Sequence, residues 1–312
     1  MRCPASNSSL RVISIRTDEL KNGIVTLQVP SKLLNTVDHS RDSAGLTYVY
    51  PVVSRRAGGV SIGINLNPNN ACNWRCIYCQ VPDLKRGSAP PIDLKKLETE
   101  LRYFLHELID GEFMQRHVPP EARKIHDIAL SGNGEPTSAA EFDQVIEAIG
   151  RVTKDYALPA DLKIVLITNG SLIYRANVQA GLKRMAALNG EVWFKFDRAL
   201  LKERQRINNT YIGLKKIHSH IKIAAALCPT WLQTCIFKID GLPPGEEEVT
   251  AYLDFLQQLI GDGIPIRGVV LYGLARPSLQ PEATRLFSID EDWLTAHGAK
   301  IGALGLPVKL NL

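Results

Sequence analysis

From about residue 60 onward, short apolar runs alternate with longer stretches in which apolar residues recur every three or four positions. The short runs lie at residues 60–66, 125–130, 164–168, 192–196, 231–237 and 267–272, and they read as buried strands. Between the first two, Leu94, Leu97, Leu101, Leu105 and Leu108 mark one face of a helix over 93–109, with Gly111 as its stop. Ser138 and Glu141 have the spacing of a capping box for a helix through Ile149. Further helices are predicted within 211–227, over 249–260 and near 292–297, and a last apolar run closes the chain at 308–312. Strands and helices that alternate in this way predict parallel βαβ units. Six strands are too few for an eight-fold barrel. The expected fold is α/β, a partial (β/α)6 TIM-type barrel whose chemistry gathers at the C-terminal ends of its strands.

The flanks divide the chain. Residues 1–59 form an N-terminal extension with short strands, in which apolar runs at 12–15 and 24–27 around Asn22-Gly23 suggest a hairpin. Residues 60–275 carry the barrel, and 276–312 form a C-terminal segment packing on it. The composition is that of a soluble globular protein, with 45% hydrophobic and 22% charged residues in 312. No stretch approaches the roughly 20 apolar residues that span a bilayer. The start, Met1-Arg2-Cys3-Pro4, lacks the apolar core of a secretory signal. No membrane partner and a cytoplasmic location are expected.

The cysteines change the picture. Of six, three crowd into Cys72-Asn73-Trp74-Arg75-Cys76-Ile77-Tyr78-Cys79, directly after the first predicted strand. In a cytosolic protein such clustering favours metal binding or catalysis over disulfides. Three thiolates on one short loop can grip three irons of a cubane cluster and leave the fourth iron open to a small molecule. A structural zinc site, completed by Cys228, Cys235 or a histidine, is the alternative. Zinc usually takes four protein ligands in paired C-x2-C units, which the C-x3-C-x2-C spacing does not supply.

With Tyr78 in the aromatic position, C-x3-C-x-aromatic-C resembles the signature of the radical S-adenosylmethionine (SAM) superfamily. That resemblance implies a single 4Fe–4S cluster on Cys72, Cys76 and Cys79, with SAM chelating the open iron. It also implies one-electron cleavage of SAM to a 5′-deoxyadenosyl radical, which abstracts hydrogen from a substrate. Three further segments fit it. Ser131-Gly132-Asn133-Gly134-Glu135-Pro136-Thr137, after the second strand, is similar to the family's Gly-Gly-Glu motif, so Gly132, Asn133, Gly134 and Glu135 are expected at the SAM amino group. Thr168 and Asn169, at the end of the third strand, are expected at the ribose. Lys195 and Asp197 share one face of a period-two strand and are expected to hold SAM's carboxylate or orient substrate. Arg276, in the segment after the sixth strand, is a candidate anion clamp. The isolated Cys3, Cys228 and Cys235 read as small buried apolar residues.

These segments together resemble the branch that contains the tRNA wyosine-base synthases. Those enzymes carry a second cluster on N-terminal cysteines, whereas Cys3 is the sole cysteine before the triplet here, so a one-cluster enzyme is expected. The resemblance implies a flavodoxin or ferredoxin as electron donor. The substrate is not named by the sequence, and tRNA, a small metabolite and a peptide all remain open. No residue is assigned as general base. A non-catalytic iron–sulfur or zinc protein is the competing class. Net charge is +5, but seven Lys/Arg and one acid lie between Arg198 and Lys222, while six acids and no Lys/Arg lie between Asp240 and Asp262. The basic stretch reads either as a solvated helix or as a face for phosphates.

Overall fold

The structure is a computed structural model that describes residue 34 and residues 45–311, apart from 55–57, 157 and 160. The expected hairpin over 10–29 and Cys3 lie outside the described residues. The main sheet has eight strands, and their spatial order follows the chain. They are β1 Val49–Ser54, β2 Gly59–Ile64, β3 Ile125–Leu130, β4 Lys163–Thr168, β5 Gly190–Lys195, β6 Thr230–Ile236, β7 Ile266–Gly273 and β8 Val308–Asn311. From β2 to β8 every neighbouring pair is parallel, and β1 runs antiparallel to β2 at the edge. No pairing joins β1 to β8 among the described residues, so what is seen is an open mixed sheet and no closed barrel. Two elements extend the six-strand expectation. Tyr48-Val49-Tyr50 leads into β1, and the final apolar run becomes a seventh parallel strand beside β7.

Helices fill the crossovers: α1 Leu94–Ile109, α2 Phe142–Asp155, α3 Ala176–Ala187, α4 Leu201–Asn208, α5 Leu214–Leu227, α6 Glu246–Gly261 and α7 Glu291–Gly302. None of the described helices is long and apolar enough to cross a membrane. Asp93 caps α1 by accepting from the Lys96 N–H at 2.9 Å, which fixes its start next to the apolar stripe. The stripe buries Leu97, Leu101, Phe104, Leu105 and Leu108 against one face of the sheet. That face presents Val60, Ile62, Ile64, Ile128, Leu130, Ile164, Leu166, Val192, Phe194 and Leu232. Glu100 is the exception on the α1 stripe. Its buried carboxylate accepts from the backbone N–H groups of Thr47, Tyr48 and Val49, at 3.0, 2.7 and 3.3 Å, and so ties the start of β1 to the helix.

The predicted capping box does not form. Ser138 lies in a 3-10 turn, where its hydroxyl donates to the Glu135 carbonyl at 2.7 Å and accepts from Ala89 N at 2.8 Å. Glu141 accepts from the N–H of Ile92, so tertiary partners outcompete the local cap. The first part of the basic stretch is mostly turned inward or paired. Arg198 and Arg204 are buried, 2% and 3% exposed, and spend their guanidinium groups on backbone carbonyls of Asp197, Cys235, Ile212 and Ala199. Lys202 pairs with Glu247 of α6 at 2.6 Å, His218 with Asp262 at 2.7 Å, and Arg206 with Glu203 at 3.7 Å. The acidic stretch thus partners Lys202 and His218, while Lys215, Lys216 and Lys222 are exposed.

Candidate active site

Period-two alternation turns a second set of side chains to the opposite face of the sheet. Ser61 and Gly63 come from β2, Asp127 and Ala129 from β3, Val165 and Ile167 from β4, Trp193 and Lys195 from β5, and Gln233 and Cys235 from β6. With Tyr50 and Val52 of β1 they line a cavity of about 360 Å³, within the range of ligand pockets. Gly63 pairs with Tyr50, whose ring occupies the space a Cβ would need there. The Tyr50 hydroxyl lies 2.8 Å from Ser131 Oγ. The three clustered cysteines and the Gly132–Glu135 turn close the cavity above the strand ends.

The cysteine loop is held from several sides. The Ile77 N–H donates to the Ile207 carbonyl at the end of α4, at 2.8 Å. Arg75 makes a two-pronged ion pair with Glu282, at 3.0 and 3.1 Å. The segment after β7 straps the loop: Ser278 Oγ donates to the Ile77 carbonyl at 2.7 Å, Leu279 N to the Cys79 carbonyl at 3.0 Å, and Gln280 Nε2 to the Val81 carbonyl at 3.0 Å. Asn73 Nδ2 donates to Ser171 Oγ, and Asn169 Nδ2 donates to Asn73 Oδ1, both at 2.8 Å. Burial, followed by the Glu135 carboxylate, pushes the Cys72 thiol up to about 12. Burial pushes the Cys76 thiol up as well, against the pull of Lys195. Such thiols release their protons when a metal takes their place.

Glu135 is 2% exposed, and its orientation is fully determined. One oxygen, Oε1, accepts from Thr137 N at 3.1 Å and from the hydroxyls of Thr137 and Thr168, both at 2.5 Å. The other, Oε2, accepts from Asn169 N at 2.7 Å. A carboxylate offers about four acceptor positions, and Oε2 retains capacity for a further donor. Burial raises the Glu135 pKa, while the bonds from Thr137, Thr168 and Asn169 act against the rise. Gly132 and Gly134 are needed for this approach of chains. Gly132 has φ of +151°, and a Cβ there would meet Asn65. A Cβ on Gly134 would overlap the Ala71 carbonyl beside the cysteine loop.

Of the residues singled out by the sequence, Cys72, Cys76, Cys79, Gly132, Asn133, Gly134, Glu135, Asn169, Lys195 and Arg276 line this one cavity. Thr168 and Asp197 do not. Thr168 stands behind Glu135, because the end of β4 packs its side chain under the turn. Asp197 lies beyond the end of β5 and is 3% exposed. It accepts from Tyr78 OH at 2.5 Å, Asn208 Nδ2 at 2.7 Å and Cys235 N at 2.9 Å. Asp197 is thus bonded to the aromatic residue of the cysteine motif. Lys195 donates to Tyr272 OH at 3.1 Å and lies 5.0 Å from the centre of the Tyr78 ring. Burial works against its charge, but Tyr272, Asp197, Cys76 and Cys235 outweigh it and raise the pKa.

Cys228 and Cys235 are both buried, as expected of apolar-like cysteines; the Cys228 thiol lies on the Gly190 carbonyl, and Cys235 also lines the cavity. Tyr50, Asp127, Trp193 and Tyr272 escaped the sequence reading. Strand alternation alone, run back two residues from Ala129 and Lys195, identifies Asp127 and Trp193. Asp127 accepts from the Ser61 hydroxyl, and burial raises its pKa.

The donor set fits an iron–sulfur cluster with a small polar ligand. Among the described residues, no three Cys, His, Asp or Glu side chains converge on a point as one metal ion requires. A cubane engages each cysteine through a different iron, so its ligands need not converge. Asn133 Oδ1 and Gln233 Oε1 are buried without a hydrogen-bond partner among the described residues, and both residues line the cavity. Two such acceptors call for a ligand that carries donors.

No family model matches the chain. A UPF0026 protein of Helicobacter pylori strain 26695 is 28% identical over 230 residues, 73% of this chain and 66% of that protein. A UPF0026 protein of Methanocaldococcus jannaschii is 31% identical over 129 residues, 41% of this chain and 35% of that protein. The chain thus spans less than two thirds of these relatives' length. Solved structures with the same fold include a radical SAM enzyme. A radical SAM methyltransferase from Sphaerobacter thermophilus aligns with a TM-score of 0.54 at 11% identity, over 81% of this chain and 66% of that one. Streptococcus suis SuiB aligns at 0.52 and 12% identity, over 79% and 47%. A spore photoproduct lyase with bound AdoMet and dinucleoside spore photoproduct aligns at 0.50 and 9% identity, over 80% and 75%. The fold is thus one shared with a radical SAM methyltransferase. The wyosine-synthase branch is not singled out by these likenesses.

Proposed function

We propose that the chain is a radical SAM enzyme with one 4Fe–4S cluster on Cys72, Cys76 and Cys79, built on a partial TIM-type barrel. The observation that carries this reading is the meeting of the three thiols and the Glu135 carboxylate in one cavity at the C-terminal ends of parallel strands. When bound, the cluster and SAM would supply the one-electron cleavage that yields a 5′-deoxyadenosyl radical. The chain's own residues bind, orient and shield. Oε2 of Glu135 receives an ammonium group, with Asn133 Oδ1 as a second acceptor. Lys195, kept charged, and Arg276 meet a carboxylate or other anion. Val52, Ala129, Val165, Ile167 and Trp193 form an apolar floor that excludes water around the reacting carbon.

The substrate, whether a small molecule, one nucleotide of a tRNA or one residue of a peptide, would enter beside SAM rather than fill this cavity alone. A flavodoxin or ferredoxin would deliver the electron. The test is anaerobic reconstitution with iron and sulfide, followed by spectroscopy of the reduced protein with and without SAM. A cluster signal that SAM perturbs, absent from Cys72→Ala, Cys76→Ala and Cys79→Ala proteins, supports the proposal. A cluster blind to SAM contradicts it.

A further inference from the structure

We propose that Asn208 sets the reduction potential of the cluster by donating a side-chain N–H to the sulfur of Cys76. This rests on the reading of Cys72, Cys76 and Cys79 as cluster ligands. Asn208 is the last residue of α4 and is 1% exposed. Its Nδ2 carries two hydrogens, and both have acceptors. Cys76 Sγ lies 3.3 Å away and Asp197 Oδ2 lies 2.7 Å away. The direction of the amide is not open to choice. A flip would turn Oδ1 onto a carboxylate and a sulfur, both acceptors.

Asp197 holds the amide in place and is itself held by Tyr78 OH and Cys235 N. The backbone adds a second anchor. Asn209 takes the left-handed conformation, with φ of +52°, and Arg86 donates to its carbonyl and side-chain oxygen while also bonding the Asn73 carbonyl. The end of α4 is thereby fastened to the cysteine loop from both sides. Asn208 acts through Cys76, so it is a positioning residue. It also engages Asp197, which lies beyond the end of β5 and does not line the cavity.

The physical consequence follows from charge. Reduction adds an electron to the cluster and increases negative charge on its sulfur ligands. A donor aimed at one of those sulfurs stabilises the reduced form more than the oxidised form, and hydrogen bonds to sulfur are among the protein's levers on cluster potential. Burial amplifies the effect, since little water competes for the sulfur.

The experiment is an anaerobic redox titration, followed by electron paramagnetic resonance, of the reconstituted full-length protein and its Asn208→Leu and Asn208→Asp variants. Iron and sulfide counts establish equal loading. Asn208→Leu is expected to make reduction less favourable by about tenfold, a shift of about 59 mV to more negative potential for a one-electron couple. Asn208→Asp, which adds a like charge, is expected to shift further in the same direction. Equal potentials in wild type and Asn208→Leu overturn the inference. If the leucine variant does not load, Asn208→Ala is titrated instead. A position at which no donor-free side chain allows loading is structural only, and that outcome also overturns it. Failure of the wild-type protein to assemble any iron–sulfur cluster would instead remove the reading on which the inference rests.

Discussion

At the scale of single residues, Glu135 separates ligand binding from fold. Its carboxylate is oriented by Thr137, Thr168 and Asn169, which leaves one oxygen to meet a cation. Replacing it with glutamine keeps the shape and removes the charge. A charge-assisted hydrogen bond contributes roughly 1.5–3 kcal/mol, so Glu135→Gln is expected to weaken SAM binding by roughly tenfold to a hundredfold while the cluster still assembles. Equilibrium binding of SAM to the reconstituted protein checks this. His297 tests stability. It is 4% exposed, packed against the tilted rings of Trp293 and Tyr252, and its Nδ1 has no hydrogen-bond partner among the described residues. Burial, with Lys300 and Arg198 nearby, pushes its pKa from 6.5 down to about 4. The unfolded chain then binds the proton more readily than the folded one. Stability contributed by the neutral ring is whole above pH 6.5 and is lost as pH falls toward 4, by roughly 3 kcal/mol in all. Denaturant unfolding at stepped pH should show that slope, and His297→Leu should flatten it.

At the scale of elements, the cysteine loop, the glycine turn and the strap after β7 form one interlocked unit. Gly134→Ala would drive a Cβ into the Ala71 carbonyl next to Cys72, and such overpacking costs about 1–3 kcal/mol or displaces the loop. The expected outcome is a folded protein that binds iron poorly, which circular dichroism and iron analysis together detect. Ser278→Ala removes the hydroxyl that bonds the Ile77 and Cys79 carbonyls, at 2.7 and 3.2 Å. It should shorten the lifetime of the cluster under a chelator without preventing its assembly. This unit was partly legible in the sequence, since the cysteine spacing and the Gly-Asn-Gly-Glu turn are local patterns. The strap and α4 were not. Ser278, Gln280 and Glu282 act across roughly 200 positions of chain, and no local pattern announces such pairing. Helix α3 was missed although Val178, Leu182 and Met185 share one face, because its single buried stripe is thin. The Ser138–Glu141 cap was expected from spacing, but both side chains found tertiary partners instead.

At the scale of the whole molecule, the order of strands was legible because each apolar run was bounded by a turn and followed by a helix. The edges were less so. Strand β1 depends on its antiparallel pairing with β2, and β8 on an edge of β7 left open by the rest of the sheet. Charge shows the limit of composition most clearly. The stretch from Arg198 to Lys222 looked like a surface for phosphates, yet its arginines at 198 and 204 serve the interior and Lys202 is matched by α6. If tRNA is the substrate, the exposed Lys215, Lys216 and Lys222 are what this stretch offers its phosphates. In that case, reversing Lys215, Lys216 and Lys222 to glutamate should weaken tRNA binding and flatten its salt slope in a titration over ionic strength, and an unchanged slope would remove this stretch from the interface.

The central claim is that Cys72, Cys76 and Cys79 hold a cluster that opens SAM in the cavity above the strands. Its most direct test is the product formed when the anaerobically reconstituted protein is reduced with dithionite and given SAM. The account predicts 5′-deoxyadenosine from the wild-type protein and none from Cys76→Ala. A reduced, SAM-binding cluster that yields no 5′-deoxyadenosine, or a tetrahedral zinc site with no iron, would contradict it.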